Sequence, residues 1–343
     1  MPTRVVCFGE IMLRLSPPGF ERLLQSPVLG ATFGGGEANV AVSLAHFGLD
    51  SHYVTRLPAH AIGDAAVRAL RAEGVQTAHV VRGGSRVGIY FAETGASQRA
   101  ASVIYDRAHS SVSEMAPDAV NWDAVLAGAA WFHVTGITPA LGETAAASTR
   151  AAVEAAKRAG ARVSVDLNYR KKLWTQAQAQ AVMRPLMSSV DVVIANEEDL
   201  QSVLGVHMAD TDVTSGTLNV DAYRDAAEWV TRKLGPSIVA ITLRESVSAS
   251  DNGWSAVLWD GATSTLHQSQ RYAVRLVDRI GGGDSFAAGL IYGMATGRSH
   301  EDALRFAVAA SALKQTIPGD FNRVTVAEVD ALAKGDASGR VQR

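Results

Sequence analysis

Short apolar runs alternate with amphipathic stretches along most of this chain, and the alternation predicts the fold class. Continuous apolar runs predict buried strands at residues 5–9, 130–134, 162–167, 190–195 and 238–243. Apolar residues at helical spacing predict helices at residues 37–47, 143–159, 175–187, 222–234, 283–296, 301–314 and 326–334. Strands that alternate with helices of this length indicate an α/β fold with a mostly parallel central sheet, covered on both faces.

Two early segments interrupt the alternation. Residues 11–33 carry prolines and glycines between short apolar pieces, which favours extended chain and turns over helix. Residues 85–110 contain two strand-like runs, 87–93 and 101–106, joined by a polar, glycine-containing hairpin. We expect the two segments to form a small β lid over the strand ends, where ligands bind in such sheets.

The chain shows no clean linker that would separate two domains. We therefore predict one domain over residues 1–334. Residues 253–259 and 265–277 add further extended chain to it. The tail at 335–343 is short of apolar residues, so we expect it to be frayed.

Composition and charge exclude several classes of protein. A chain of 343 residues that is 47% hydrophobic and 19% charged fits a globular protein with a sizeable core. Its net charge of −2 gives no electrostatic case for binding nucleic acid or an anionic membrane. The single cysteine, Cys7, excludes an internal disulfide framework. The N-terminus has no signal-peptide pattern and no apolar run approaches a membrane span, so we expect the protein in the cytoplasm.

A glycine run that ends in a carboxylate gives the strongest chemical signal. The run comprises Gly281, Gly282 and Gly283, and it leads into the predicted helix that contains Asp284. Glycine lets a ligand approach the main chain, and the free N–H groups of a helix start favour an anion. A carboxylate beside them can accept a proton from an attacking hydroxyl while the amides stabilise a phosphoryl group. The pattern indicates a kinase, although the same residues also suit a plain turn with Asp284 as a helix cap.

A second glycine run precedes the helix predicted at residues 37–47, and it reads Gly34-Gly35-Gly36. Together the two runs resemble the two signatures of the ribokinase-like carbohydrate kinases, the phosphofructokinase-B family. The resemblance covers nearly the whole chain. It implies a three-layer α/β/α domain with a β-sheet lid, and a kinase that uses ATP and Mg²⁺.

Three motifs are most similar to the branch of this family that phosphorylates 2-keto-3-deoxygluconate to 2-keto-3-deoxy-6-phosphogluconate. They are Asp278-Arg-Ile-Gly-Gly-Gly-Asp284-Ser-Phe, Tyr105-Asp-Arg107 and Asp166-Leu-Asn-Tyr-Arg170. The resemblance makes Asp284 the general base and the amides of residues 281–284 the phosphate site. It assigns sugar contacts to Gly34, Gly35, Asn39, Tyr90 and Tyr105.

Arg107 and Arg170 are the clearest indication of the substrate class. A keto-acid carboxylate accepts bidentate, charge-assisted hydrogen bonds from a guanidinium, whereas a neutral hexose carries no full charge. The resemblance places both arginines around the substrate carboxylate. The alternative is that they lie on the surface in weak, exposed ion pairs.

The resemblance also implies nucleotide and cation sites. The nucleotide residues would be Asn168, Asn196, Thr242, Arg244, Gly281, Gly283, Lys314 and Asn322. Glu198 and Asp199 would hold Mg²⁺, commonly through water, with an Asp where the family usually has Glu. Thr242-Leu-Arg244 replaces a glycine-containing loop, so Arg244 would contact phosphate by charge. Asp278 matches a residue beside a monovalent-cation site, with K⁺ as the ion, although an Asp before a turn is also a common Asx cap.

Other functions remain open at this point. A fructose, ribose or nucleoside kinase would carry the same signatures, and so would a non-catalytic sugar-binding regulator. A dinucleotide-dependent oxidoreductase is disfavoured because neither glycine run completes Gly-x-Gly-x-x-Gly. We expect a homodimer formed through the lid, or a higher oligomer, because an exposed sheet edge favours pairing with another strand.

Overall fold

Two β-sheets organise the chain in the computed structural model, which describes residues 2–206, 220–336 and 339. The strands are β1 (Arg4–Phe8), β2 (Met12–Ser16), β3 (Gly30–Gly34), β4 (Asp50–Leu57), β5 (Val80–Arg82), β6 (Ile89–Glu93), β7 (Ser102–Asp106), β8 (Trp131–Thr135), β9 (Arg162–Asp166), β10 (Val192–Ala195), β11 (Ile238–Ser246), β12 (Asp251–Asp260), β13 (Thr265–Gln268) and β14 (Tyr272–Arg275). The helices are α1 (Gly36–His46), α2 (Ala61–Ala72), α3 (Trp122–Leu126), α4 (Ile137–Ala140), α5 (Glu143–Arg158), α6 (Gln176–Leu186), α7 (Glu197–Asp199), α8 (Val220–Leu234), α9 (Gly282–Ala295), α10 (His300–Lys314) and α11 (Val326–Ala333).

The larger sheet has the strand order β13-β12-β11-β10-β9-β8-β1-β4-β5, and β14 also pairs with β12. Neighbouring strands from β11 to β5 run parallel, and β12 joins β11 in the antiparallel direction. Helices α1, α9 and α10 pack on one face of this sheet, and α5, α6 and α8 pack on the other. Both faces are therefore buried, which explains why β10 is apolar throughout and why every residue of β8 is buried. The predicted α/β fold with a mostly parallel central sheet is confirmed.

The smaller sheet has the order β3-β2-β6-β7, with β2 and β6 parallel and the outer pairs antiparallel. Its strands come from the two segments that interrupt the alternation, so the small second sheet is also confirmed. We call this sheet the lid. None of the helices in the described part of the chain combines the length and the apolar character that crossing a membrane requires.

Several features differ from the sequence prediction. Strand β4 and helix α2 were not predicted, because β4 mixes polar with apolar positions and the buried face of α2 consists largely of small residues. Strand β11 continues to Ser246 because β12 pairs with it along its whole length. The domain boundaries at 1 and 334 stay a prediction, and most of the 335–343 tail lies outside the described residues.

Helix α9 packs closely against helix α10. Gly289 and Gly293 of α9 face Ala307 and Ala303 of α10, and a Cβ atom at Gly293 would lie 2.6 Å from that of Ala303. Such close packing leaves little freedom for α9 to shift along α10. It therefore fixes the first turn of α9, which contains Asp284.

Candidate active site

A cleft of about 670 Å³ opens at the carboxyl ends of the central strands and is bounded on its other side by the lid. The predicted residues that line it are Gly35, Asn39, Tyr90, Tyr105, Arg107, Asn168, Arg170, Asn196, Glu198, Asp199, Thr242, Arg244, Gly281, Gly283 and Asp284. The remaining predicted residues, Gly34, Asp278, Gly282, Lys314 and Asn322, lie outside its lining. Strand β1 lies between β8 and β4, where the strand order reverses, and ligands of such sheets bind at this reversal.

Asp284 lies in the first turn of α9, with its carboxylate turned towards α1. The Nδ2 group of Asn39 donates a hydrogen bond to Oδ2 of Asp284 over 2.7 Å. Burial raises the pKa of Asp284 to about 6, while the bond from Asn39 acts in the opposite direction. The carboxylate thus contacts another helix, and it is ionised at neutral pH but close to its pKa, as suits a general base.

The glycine turn before Asp284 depends on Gly281. This residue has a φ of 85°, and a Cβ atom there would lie 2.2 Å from the carbonyl oxygen of Asp320. Both the backbone conformation and the lack of space require glycine. Gly283 is exposed, and a Cβ atom there would meet nothing within 4 Å. The main chain at Gly283 is therefore open to a ligand in the cleft.

The first glycine run fixes α1. A Cβ atom at Gly35 would lie 2.0 Å from the carbonyl oxygen of Glu10, so the two chain segments need glycine to pass each other. Glu37 in the first turn is buried, and its Oε1 accepts hydrogen bonds from Thr135 N over 2.8 Å and Thr138 Oγ1 over 2.6 Å. These bonds attach α1 to the end of β8, which places Asn39 opposite Asp284.

A buried ionic cluster that the sequence analysis did not identify joins the lid to this glycine turn. Arg14 of β2 forms ion pairs with Asp278 and Asp320, each with an N···O distance of 2.7 Å. Tyr90 of β6 donates its hydroxyl hydrogen to Oδ2 of Asp320 over 2.6 Å. Arg14 is the one charged residue in strand β2. A charge within a largely apolar strand indicates a buried ionic partner, and this pattern could have pointed to the cluster.

Arg107 and Tyr90 line the cleft as expected, but each already has a bonding partner within the protein. Nε of Arg107 donates to Oε2 of Glu10 over 2.8 Å, and Nη2 contacts the same oxygen. The guanidinium is therefore paired within the protein, and the hydroxyl of Tyr90 is already bonded to Asp320. Arg170 is less engaged, since Nη1 donates to the carbonyl oxygen of Tyr169 over 2.9 Å. Arg170 is the better-placed of the two arginines for a carboxylate.

The expected magnesium residues separate into two groups. Both carboxylate oxygens of Asp199 accept main-chain N–H groups, from Tyr169 over 2.9 Å and from Asn196 over 3.3 Å. Asn196 in turn accepts the N–H of Asp199, so these two residues cap α7. Glu198 is exposed in the cleft, and Asp166, which the sequence analysis named in a motif without giving it a role, lines the cleft at the end of β9. Glu198 and Asp166 are the carboxylates best able to face a hydrated cation.

Positive charge also lines the cleft. Arg244 on β11 and Arg279 in the loop before α9 both line it. Burial lowers the pKa of Arg279, and the nearby charge of Arg244 acts in the same direction. Two guanidinium groups this close favour an anion between them. The sequence analysis gave Arg279 no role, although this residue lies within the motif that begins at Asp278. Roles were given only to the aspartates and glycines of that motif.

Two expected nucleotide contacts are not supported by their positions. Lys314 is fully buried beneath the glycine turn, and Asn322 is buried with Oδ1 accepting Val324 N over 3.3 Å. Neither side chain reaches the cleft. Asp278 likewise directs its carboxylate into the ionic cluster instead of the cleft.

Comparison with known proteins shows which proteins this chain resembles. Residues 2–323 match the family model described as pfkB family carbohydrate kinase. The chain is 33% identical over 339 residues to a 2-dehydro-3-deoxygalactonokinase of Haloferax volcanii, with 99% of each chain covered. It is 50% identical to a crystal structure of 2-dehydro-3-deoxygluconokinase from Thermotoga maritima, with a TM-score of 0.93 and coverage of 97% of this chain and 100% of that chain. A PfkB family carbohydrate kinase from Listeria grayi is 32% identical, with a TM-score of 0.89 and coverage of 97% and 100%.

The geometry predicts an unusual titration for Asp284. The carboxyl resonance of Asp284 in ¹³C NMR can be identified because it is absent from the spectrum of Asp284→Asn. This resonance should titrate with a midpoint near pH 6. In Asn39→Ala the midpoint should rise, because the carboxylate loses the hydrogen bond that stabilises it. Ser43→Ala, one turn further along α1, should leave it unchanged. A wild-type midpoint near that of an ordinary aspartate, about 4, would contradict the described environment.

Proposed function

Because this chain belongs to the pfkB family of carbohydrate kinases, we propose that it transfers the γ-phosphoryl group of ATP to the 6-hydroxyl of 2-keto-3-deoxygluconate. The product would be 2-keto-3-deoxy-6-phosphogluconate. The observation that carries the proposal is the Asp284 carboxylate, held by Asn39 in the cleft beside the open main chain of Gly283. This arrangement supplies a proton acceptor and anion-stabilising amides at one place.

In the proposed reaction, Asp284 takes the proton of the 6-hydroxyl as its oxygen attacks the γ-phosphorus. The bond between the γ-phosphorus and the β–γ bridging oxygen breaks, and ADP leaves with the electron pair. The amides at the start of α9 stabilise the charge on the transferred group. Asp284 lies at the N-terminus of α9, so the nucleophile and the phosphate approach the same helix end.

The nucleotide side of the cleft suits ATP and Mg²⁺. Arg244 and Arg279 would hold phosphate groups by charge, and Asn168, Asn196 and Thr242 line the same cleft. Glu198 and Asp166 would hold Mg²⁺ through its water shell. When bound, Mg²⁺ neutralises part of the phosphate charge.

The substrate side supports a sugar acid. Arg170 comes from the loop after β9 and lines the cleft, where its guanidinium can pair with a carboxylate. A substrate held by its carboxylate at one end presents its terminal hydroxyl at the other, which would select the 6-position. The gluconate and galactonate epimers differ in hydroxyl configuration only, and the similar proteins named above include one of each.

A kinase for fructose, ribose or a nucleoside is the second candidate. The pairing of Arg107 with Glu10 favours it, because this pairing neutralises one of the two cations expected to bind the acid. Arg170 still supports the acid. A non-catalytic regulator is disfavoured because sugar binding alone would not need the Asp284 carboxylate beside the open main chain of Gly283.

We place the enzyme in the cytoplasm, where ATP is available.

The exposed edge of the lid supports a homodimer. Strand β7 forms one edge of the lid sheet, and Ile104 on it is 54% exposed. Tyr105 beside it and Leu24 in the β2–β3 connection are also exposed. An apolar, unpaired strand edge is favourable for pairing with a second copy of the lid.

The proposed base is tested by Asp284→Asn. We expect the wild type, with ATP and Mg²⁺, to phosphorylate 2-keto-3-deoxygluconate or its galactonate epimer faster than fructose or ribose. Turnover should fall about 100- to 10,000-fold in Asp284→Asn, and stay unchanged in Asp225→Asn on the exposed surface of α8.

The folded-state pKa of Asp284 lies above that of an unfolded aspartate, so ionisation of Asp284 lowers the free energy of unfolding as pH rises towards 6. The melting temperature of Asp284→Asn at pH 8 should therefore not fall, and equal turnover by this folded variant would remove the proposed base.

The substrate class is tested by Arg170→Met. Loss of a charge-assisted bond to the carboxylate should raise KM for the keto acid about 10- to 100-fold, with a smaller change in kcat. Lys172 is exposed and lies two residues after Arg170. Lys172→Met removes the same charge there, and the KM for the keto acid should stay within about twofold of the wild-type value. A KM for fructose that rises as much as that for the acid would show that Arg170 does not recognise the carboxylate.

The oligomer is tested by Ile104→Lys. Light scattering after size exclusion should give twice the 36.1 kDa chain mass for the wild type and the chain mass for this variant. Ile62→Lys on α2 places the same charge at another exposed isoleucine, away from the lid, and should leave the mass unchanged. A wild-type monomer would contradict the dimer.

A further inference from the structure

We propose that the ammonium group of Lys314 serves as a built-in monovalent cation beneath the glycine turn, so that catalysis needs no K⁺. Lys314 would be a positioning residue, since it contacts the turn and not the reactants. The inference rests on the kinase activity proposed above. It replaces the expectation of a potassium site at Asp278.

The surroundings of Lys314 are those of a bound cation. Its side chain is fully buried at the end of α10, which is rare for lysine. Nζ donates to the main-chain carbonyl oxygens of Asp278 over 3.1 Å and of Ile317 over 3.4 Å. Main-chain carbonyl oxygens are also the ligands that K⁺ prefers in proteins. An ammonium ion and a K⁺ ion carry the same charge, so each can occupy a carbonyl-lined site.

The atoms that a potassium ion at Asp278 would need are already in use. Oδ2 of Asp278 accepts Arg14 Nη2 over 2.7 Å and Gly319 N over 3.0 Å, and Oδ1 accepts Ile280 N over 3.1 Å. Its carbonyl oxygen accepts Lys314. A second cation at these oxygens would meet both Arg14 and Lys314, so the described residues do not fit K⁺.

The position of Lys314 connects it to the reacting groups. Asp278 begins the loop that continues through Gly281 to Asp284, and Cε of Lys314 lies 3.2 Å from where a Cβ of Gly281 would stand. Lys314 therefore donates a hydrogen bond to the start of this turn and lies beneath Gly281, which lines the cleft. The charged groups that act on it are Asp278, Asp320, Arg14 and Asp284.

Charge gives a second connection. The positive charge of Lys314 lowers the pKa of Asp284, against the larger effect of burial. Removal of this charge should therefore shift the acid limb of the pH–rate profile to higher pH. A role in packing alone would not move this limb.

The test compares Lys314→Ala, which leaves room for an ion, with Lys314→Met, which fills the space without a charge. Activity is measured with the best acceptor found for the wild type, in KCl, NH₄Cl or tetramethylammonium chloride at equal ionic strength. The wild type should be equally active in all three salts. Both variants should lose about 10- to 100-fold in tetramethylammonium chloride, and K⁺ or NH₄⁺ should restore activity only to Lys314→Ala.

A substrate-free measurement separates this inference from the proposed activity. K⁺ should raise the melting temperature of Lys314→Ala relative to tetramethylammonium, and leave those of the wild type and Lys314→Met unchanged. Activation of the wild type by K⁺ would overturn the inference, even if neither variant folds. Folded Lys314→Ala that retains full activity, or that K⁺ neither stabilises nor rescues, would overturn it as well.

Discussion

The buried ion pairs between Arg14 and the carboxylates of Asp278 and Asp320 are the interaction on which the active site depends. Arg14 belongs to the lid, whereas Asp278 and Asp320 flank the glycine turn before α9. Burying one of these charges without the others would be strongly unfavourable, so the cluster forms as a unit. The lid, the turn and the C-terminal segment are therefore fixed relative to one another.

The chemistry of the site follows from this fixed geometry. The turn is anchored by Asp278 and Lys314 below it, and Gly281 and Gly283 line the cleft above. Asp284 comes directly after the turn, where burial raises its pKa to about 6 and Asn39 keeps its carboxylate oriented. The proposed proton acceptor and the proposed phosphate site thus share one helix end, as suits phosphoryl transfer to an alcohol.

Much of the fold and part of the site could be predicted from the sequence. The alternation of apolar runs and helical stripes gave the parallel sheet, because buried strands and helices leave strong local patterns. Asp284 was proposed because it follows a glycine run, and Asn39 because its motif resembles the sugar-contacting loop of the family. The ionic cluster could not be found in this way, because Arg14 and Asp320 are 306 residues apart and meet only in the folded chain. The pairing of Arg107 with Glu10 was missed for the same reason, since a residue type does not reveal its partner.

The most direct test of this account is a crystal structure of the protein with 2-keto-3-deoxygluconate and a non-hydrolysable ATP analogue. We predict the terminal hydroxyl of the sugar acid within hydrogen-bonding distance of Asp284, and the γ-phosphate at the amides of Gly281–Gly283. The ion pairs of Arg14 should be intact. A complex in which the sugar and the phosphate meet away from Asp284, or in which these ion pairs are broken, would contradict the account.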